Sequence, residues 1–287
     1  MPHFPDPIAD PEAYVDWVVD IPPAQGADIV LLGTLIQRWF APEFSNTHRL
    51  PDGPALFVGN HSFCAIDAFV FHFSMMNDMG IFLRPLGDKT LFSQRHYADL
   101  VHRLGAVHGD GRVMEGLMAA GENLLLYPGG THEAIKGVDQ RYQLQWKNRF
   151  GFIHRAARAG FTIVPFAAVG PDEYYGQWLT SAEVMASAPF RWLQARGVIP
   201  NDVREDLVPP LPAGLFGGAL PKPVKTFFQF GEAIDLSDYT GRELSKRQAT
   251  QLRNRVARAI ETEIDALLVR RAQQPPRESL LRRMMSL

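Results

Sequence analysis

Two spacings of apolar residues alternate along the first two thirds of the chain. Residues 27–40 place Ile29, Leu32, Leu35, Ile36, Trp39 and Phe40 at helical intervals, which predicts an amphipathic helix. A shorter helix is predicted over 12–20, stopped by Pro22-Pro23. After the turn Pro51-Asp52-Gly53-Pro54, residues 55–58 form a short unbroken apolar run of the kind a buried strand needs. Further strands are predicted at 81–84, 106–107, 123–127 and 162–166. Helical spacing fills the intervals at 66–75, 91–104, 113–120 and 150–159, with Gly121 and Gly160 closing the last two. Strand, helix and strand in repetition predict an α/β fold, a central largely parallel or mixed sheet flanked by helices, with an N-terminal amphipathic helical segment.

From Gly170 the alternation stops. Trp178, Trp192 and the Pro- and Gly-rich run 207–220 predict a cap or insertion over 171–223, since a loop of that length has a function or structure of its own. A last strand is predicted at 226–230. A long helix follows over 245–269, with Leu252, Val256, Ile260, Ile264 and Leu267 on one face. The expected organisation is a helical segment over 1–49, an α/β domain over 50–270, and a tail over 271–287 whose last eight residues are basic and apolar.

Composition narrows the function. A formal net charge of -2 over 287 residues gives no global electrostatic case for nucleic-acid binding. The single cysteine, Cys64, excludes an intrachain disulfide and a thiolate-rich metal site, and among Phe63, Ala65 and Ile66 it reads as a buried, inert thiol. The first ten residues lack the basic and apolar stretches of a secretory signal. No run reaches the roughly 18 apolar residues that a bilayer span requires. Contact with a membrane is therefore expected at its surface, through residues 27–40, 207–220 or 280–287.

The candidate chemistry gathers at two strand ends. His61 follows the strand at 55–58, and Asp67 stands six residues on at the start of the next helix. Ligands of parallel-sheet proteins sit beyond the C-terminal strand ends. A neutral-range imidazole there, oriented by a carboxylate on its other nitrogen, suits the removal of a hydroxyl proton. On spacing alone, a structural histidine fits better. Ser62 reads as a cap of the following helix, because the Gly-x-Ser-x-Gly elbow of a serine nucleophile is missing. The second strand end is Tyr127-Pro128-Gly129-Gly130-Thr131-His132-Glu133. Its glycines allow close backbone approach to an oxyanion or ligand oxygen. It lacks the Gly-Lys-Ser/Thr ending of a phosphate loop, and His61, His132 and Glu133 do not have the spacing of a zinc site.

In order along the chain, these segments resemble the glycerolipid or lysophospholipid acyltransferase-like superfamily. Residues 60–67 resemble its first block, a His and an Asp separated by four residues; here five intervene, as in the transmembrane-68-like variant. Residues 121–134 resemble the third block in the Pro-Gly-Gly form of the diacylglycerol acyltransferase-2-like branch. Residues 146–152 are similar to the run that follows it, and Ile163-Val164-Pro165 to the fourth block. The resemblance covers roughly residues 50–235 and implies a glycerol-phosphate acyltransferase-like fold.

It also implies attack of an acceptor hydroxyl on an acyl thioester of coenzyme A or an acyl carrier protein, at a membrane surface. His61 would be the general base and Asp67 its orienting partner. Gly129, Gly130, Thr131, His132, Glu133 and Arg149 would bind substrate, with no metal and no further cofactor. Phosphate-acceptor members carry an arginine where His132 stands, and Arg112 is out of position for the second block. A neutral lipid hydroxyl is therefore the expected acceptor, ahead of a lysophospholipid. The expected location is cytoplasmic, peripheral to the inner face of a membrane. A thioesterase or lipid hydrolase and a non-catalytic lipid-binding protein are the competing readings.

Overall fold

The computed structural model describes residues 4–93, 95–203, 208–274, 282, 284 and 285. The expected central sheet has seven strands: β1 (Glu43–Ser45), β2 (Leu56–Gly59), β3 (Arg84–Gly87), β4 (Val107–His108), β5 (Leu124–Leu126), β6 (Ile163–Val169) and β9 (Phe227–Phe230). Their order is β1-β9-β6-β2-β5-β3-β4. Every neighbouring pair is parallel except β6 and β9, which run antiparallel from Phe166↔Phe230 to Val169↔Phe227. The sheet is therefore mixed, and its parallel block of β6, β2, β5, β3 and β4 points all its C-terminal ends to one edge.

The period of two in these strands sends side chains into two cores. Leu56, Val58, Leu124, Ile163, Ala167, Val169 and Phe227 face one layer, built from α1 (Pro11–Val19), α5 (Gly111–Ala119), α7 (Gly151–Ala159) and α10 (Lys246–Gln273). Phe57, Leu125, Tyr127, Val164, Phe166, Ala168, Phe228 and Phe230 face the other, covered by α2 (Ala27–Phe40) and α3 (Ile66–Met79). The amphipathic helix expected over 27–40 docks on this core through Ile29, Ile36 and Phe40, while Val30, Leu31 and Leu35 stay exposed. Tyr14 ties α1 to the far edge of the sheet. Its hydroxyl accepts the His108 amide at 3.0 Å and meets His102 Nε2 at 2.7 Å.

Several boundaries move for physical reasons. Helix α3 runs four residues past its expected end. Asn77 and Asp78 lie on its exposed side, and Gly80, at φ 67°, ends it with amide bonds from Gly80 and Ile81 back to Met76 and Met75. Residues 81–83 then lead into β3, which begins at Arg84 instead of Ile81. Strand β6 extends three residues past Phe166 because β9 pairs with that end, and all seven of its residues are buried. Strand β1 has no apolar rhythm to mark it. It forms by pairing with β9, and Glu43 within it is held by Lys225 and Arg270.

Beyond β6 the chain forms β7 (Gly176–Leu179) and, antiparallel to it, β8 (Leu211–Ala213), with α8 (Ser181–Ala186) and α9 (Ala188–Ala195) between them. Trp178, Trp192, Phe216 and Leu220 are exposed there. Residues 204–207 lie outside the described residues, as do residue 94 of the helix expected over 91–104 and, apart from Arg282, Met284 and Met285, the tail from 275. Among the described residues, no helix is long and apolar enough to cross a membrane.

Candidate functional site

The backbone leaving β2 is fixed before it reaches His61. Asn60 clamps it to β6: its amide Nδ2 donates to the Ala168 carbonyl at 2.9 Å, and its Oδ1 accepts the Ala168 N–H at 2.7 Å. Five residues then separate His61 from Asp67. Cys64 and Ala65, at φ 62° and 57°, are consecutive left-handed residues that are not glycine. Such a pair costs about 1–2 kcal/mol per residue. It folds the five-residue link back so that Asp67, in the first turn of α3, meets His61.

The result is a His–Asp pair. His61 Nδ1 lies 2.9 Å from Asp67 Oδ2, and the Asp67 side chain is fully buried. The hydroxyl of Ser62 donates to Asp67 Oδ1 at 2.9 Å. Ser62 therefore makes no side-chain cap bond to the helix, contrary to expectation; it supports the carboxylate. The His61 ring stacks on Tyr127 at the end of β5, with centroids 4.1 Å apart and planes 16° from parallel.

With Nδ1 engaged, Nε2 is the nitrogen left for chemistry. His61 lines a cavity of about 270 Å³ at the C-terminal edge of β2, β5 and β3. Ala68, Phe69, Leu86, Leu91, Val101 and Leu125 give it an apolar wall, while Asp88 and Thr90 add polar groups. Cys64 lines it too and is exposed, so the expected buried thiol is not observed. The left-handed turn at 64–65 carries the side chain out of the core. His72, deeper in α3, also lines the cavity; burial lowers its pKa to about 4 and keeps it neutral.

Of the residues expected from the second strand end, Gly130 and Thr131 line the same cavity as His61. Gly130 holds φ at 50°, and its amide is taken by the Tyr127 carbonyl at 2.9 Å, so it shapes the turn. Thr131 to Ala134 form α6, one turn of helix that the apolar spacing did not predict. His132 faces Lys147, whose Nζ is 3.1 Å from the ring Nε2. Arg149 donates to the Pro128 carbonyl at 3.0 Å.

Glu133 is fully buried beneath Gly129, where its carboxylate fills the space a side chain at 129 would take. It accepts the Gln145 amide at 3.0 Å. Burial pushes its pKa up to about 7, against the pull of Lys136, the Gln145 amide and His61, with Asp172 adding to the rise. Behind it, Lys136 and Asp172 form a buried ion pair at 2.8 Å. Sequence reasoning singled out neither Lys136 nor Asp172, and gave Tyr127 no role beyond opening the glycine segment. The polar pair is 36 residues apart in an otherwise apolar setting, and only the fold brings it beside Glu133.

This burial has a measurable consequence. The unfolded chain releases the Glu133 proton near 4.5 and the folded protein near 7, so the folded state binds more protons between those values. Stability then falls as pH rises through that window, by roughly 3 kcal/mol, and stays reduced above it. Glu133→Gln keeps the acceptor for Gln145 and removes this slope. Urea unfolding of both proteins at about pH 5 and about pH 8 checks it: the variant gains on the wild type at the higher pH only. An equal difference at both pH values refutes the protonated buried carboxyl.

Among the described residues, no group of three or more His, Cys, Asp or Glu side chains is placed to hold a metal ion.

Parts of this chain are similar in sequence to known proteins. Residues 41–169 match the family described as Acyltransferase, a span that runs from just before β1 to the end of β6 and holds both strand-end motifs. Phytyl ester synthase 1, chloroplastic, of Arabidopsis thaliana is 28% identical over 250 residues, covering 80% of this chain and 35% of that protein. The bovine DGAT1/2-independent enzyme synthesizing storage lipids is 26% identical over 184 residues, covering 61% of this chain and 53% of that protein. The chain thus spans about a third to a half of these relatives. The crystal structure of the 1-acyl-sn-glycerophosphate acyltransferase PlsC from Thermotoga maritima superposes with a TM-score of 0.47 and 14% identity, covering 91% of this chain and 83% of that one. The His–Asp pair and the Pro-Gly-Gly turn both lie inside the span that is similar to the Acyltransferase family.

Proposed function

We propose that this protein transfers an acyl group from a thioester to the hydroxyl of a neutral lipid or long-chain alcohol, at a membrane surface. The observation that carries this reading is the single free nitrogen of His61, set against a buried Asp67 at 2.9 Å and opening on an apolar cavity beside Gly130 and Thr131. Nε2 takes the hydroxyl proton as the oxygen attacks the thioester carbonyl. Asp67 holds the tautomer and stabilises the imidazolium. Collapse of the tetrahedral intermediate breaks the carbon–sulfur bond, and the departing thiolate receives the proton from Nε2. The leaving group is thus a neutral thiol and the histidine is reset.

Two features support a neutral acceptor. The cavity wall is apolar, with Asp88 as its charged lining residue, a poor neighbour for a phosphate. The relatives' names point the same way, to a phytyl ester and to storage lipids. The exposed apolar residues of α2 and of the segment around Phe216 support work at a lipid surface. The His61, Asp67, Gly129, Gly130, Thr131, His132, Glu133 and Arg149 roles belong to this proposal.

Transfer of labelled palmitate from palmitoyl-coenzyme A tests it, with phytol, diacylglycerol and lysophosphatidic acid as acceptors. Esters of the first two are the expected products. A product from lysophosphatidic acid alone overturns the neutral acceptor. Free fatty acid as the sole product replaces transfer with hydrolysis.

A further inference from the structure

The donor in this reaction leaves as a thiol, and a thiol carried on phosphopantetheine brings at least one phosphate ester with it. A place for that phosphate exists beside the cavity. Gly130 lines the cavity, and Arg149 occupies the room left by its missing side chain: Arg149 Nη1 is 2.6 Å from where a Cβ at Gly130 would stand. Lys147, two residues earlier in the same turn, holds a left-handed φ of 46° and is exposed, as is Arg149. Arg253 of α10 comes across to this turn and donates to the Lys147 carbonyl at 2.9 Å. Its guanidinium carbon stands 5.4 Å from the Trp146 ring centroid.

Lys147 and Arg149 are therefore two residues apart on a turn beside Gly130, and Arg253 is bonded to the backbone of that turn, where lysine adopts its left-handed conformation at a cost. Among the described residues, neither Arg149 nor Arg253 is in an ion pair with a carboxylate; both are fixed by backbone carbonyls. That leaves guanidinium N–H groups for a ligand in an already ordered pose. Helix α7 starts at Gly151 with no side-chain cap, so its positive end faces the same turn.

We propose that Lys147, Arg149 and Arg253 bind the phosphate ester of a phosphopantetheine-type acyl donor, placing its thioester past Gly130 toward His61. The proposal rests on the acyl-transfer reading and assigns the donor to this edge, leaving the apolar wall around Phe69 and Leu86 for hydrocarbon. It gives the 146–149 turn a task separate from the His–Asp pair: holding the leaving group while the acceptor stays uncharged.

Titration calorimetry on the full chain tests it without turnover. The ligands are coenzyme A, pantetheine, which lacks phosphate, and inorganic phosphate; vesicles of phosphatidylcholine with and without phosphatidic acid form a second arm. Coenzyme A is expected to bind at least about tenfold more tightly than pantetheine. Arg149→Ala and Lys147→Gln should each remove roughly tenfold of that and leave pantetheine unaffected. Lys147→Gln, on an exposed side chain, keeps the test valid if Arg149→Ala loosens the glycine turn. Unchanged coenzyme A affinity in both variants overturns the proposal. So does loss of binding to phosphatidic acid vesicles with coenzyme A affinity intact, which would assign the cluster to a lipid headgroup. Arginine-dependent coenzyme A binding with no transfer to any acceptor leaves this site standing and removes the acyl-transfer reading.

Discussion

His61→Ala is expected to lower acyl transfer by roughly a thousandfold or more, the share a positioned general base contributes. Among the described residues, the other histidine and the cysteine lining the cavity are poor substitutes. His72 lines the same cavity but is held neutral by burial, with a pKa of about 4, and it sits deeper in α3. Cys64, exposed as a residue, has its thiol pKa raised by partial desolvation, which opposes thiolate formation. The fold should survive, because His61 stands at the end of β2 and its loss removes one ring from a cavity wall. Circular dichroism of the variant should match the wild type, with a lowered unfolding midpoint because the buried Asp67 carboxylate loses its partner. Asp67→Asn is the sharper companion: it keeps the size of the buried side chain but lets the imidazole settle in the wrong tautomer. A loss of about a hundredfold to ten-thousandfold in turnover, with substrate binding retained, is expected there. Full activity in His61→Ala refutes the base, and full activity in Asp67→Asn refutes its orienting partner.

The second large effect is on stability, at Gly129. A Cβ built there would lie 2.1 Å from Oε2 and 2.2 Å from Cδ of Glu133. Glu133 has nowhere inexpensive to go: it is fully buried and its other oxygen holds the Gln145 amide. Gly129→Ala must therefore push a buried carboxyl group off its partner or strain the turn, at a cost of about 3 kcal/mol. The cause can be isolated. In Gly129→Ala/Glu133→Ala the clash disappears, so the double variant should be less than additive, with a coupling of about 1–2 kcal/mol. Gly53→Ala, where a Cβ would meet nothing within 4 Å, should be nearly silent and serves as the control. Urea unfolding curves for the wild type, the two single variants, the double variant and the Gly53→Ala control read the result. Additive losses at 129 and 133 would show that the two positions do not compete for the same space.

The fold was legible where side-chain rhythm and packing agree. The apolar runs at 55–58, 123–127 and 162–166 became β2, β5 and β6, the centre of the parallel block. Those strands are buried on both faces and need nothing but apolar residues. The long helix α10 was legible for the same reason, from Leu252 to Leu267 on one face. What escaped was set by partners distant in sequence. Glu43 to Ser45 are a strand because Phe227 to Gln229 lie beside them, and no local pattern contains that fact. The start of β3 was misplaced because apolar 81–83 serve as a connection from the Gly80 cap.

At the site, His61 and Asp67 could be paired from spacing and resemblance, yet the spacing could not say how five intervening residues would allow contact. The left-handed conformations of Cys64 and Ala65 answer that, and neither residue type advertises them. Ser62 was visible as a polar residue beside His61, but its bond to Asp67 depends on that same turn. Glu133 was visible as a charge. Its burial and its neighbours Lys136 and Asp172 were not, since they meet only after α6 and the loop behind it have folded.

The stacking of His61 on Tyr127 bears on the order of events. An imidazole tied through Nδ1 to Asp67 and pressed against a phenol ring at 4.1 Å cannot turn to present a second nitrogen. Under the proposed chemistry, one atom must collect a proton from the alcohol and surrender it to sulfur without rotating in between. Both molecules then have to be present on the same face at the same moment. Such a centre favours a ternary complex over an acylated enzyme that waits for its acceptor, and water admitted in the acceptor's place would waste the thioester.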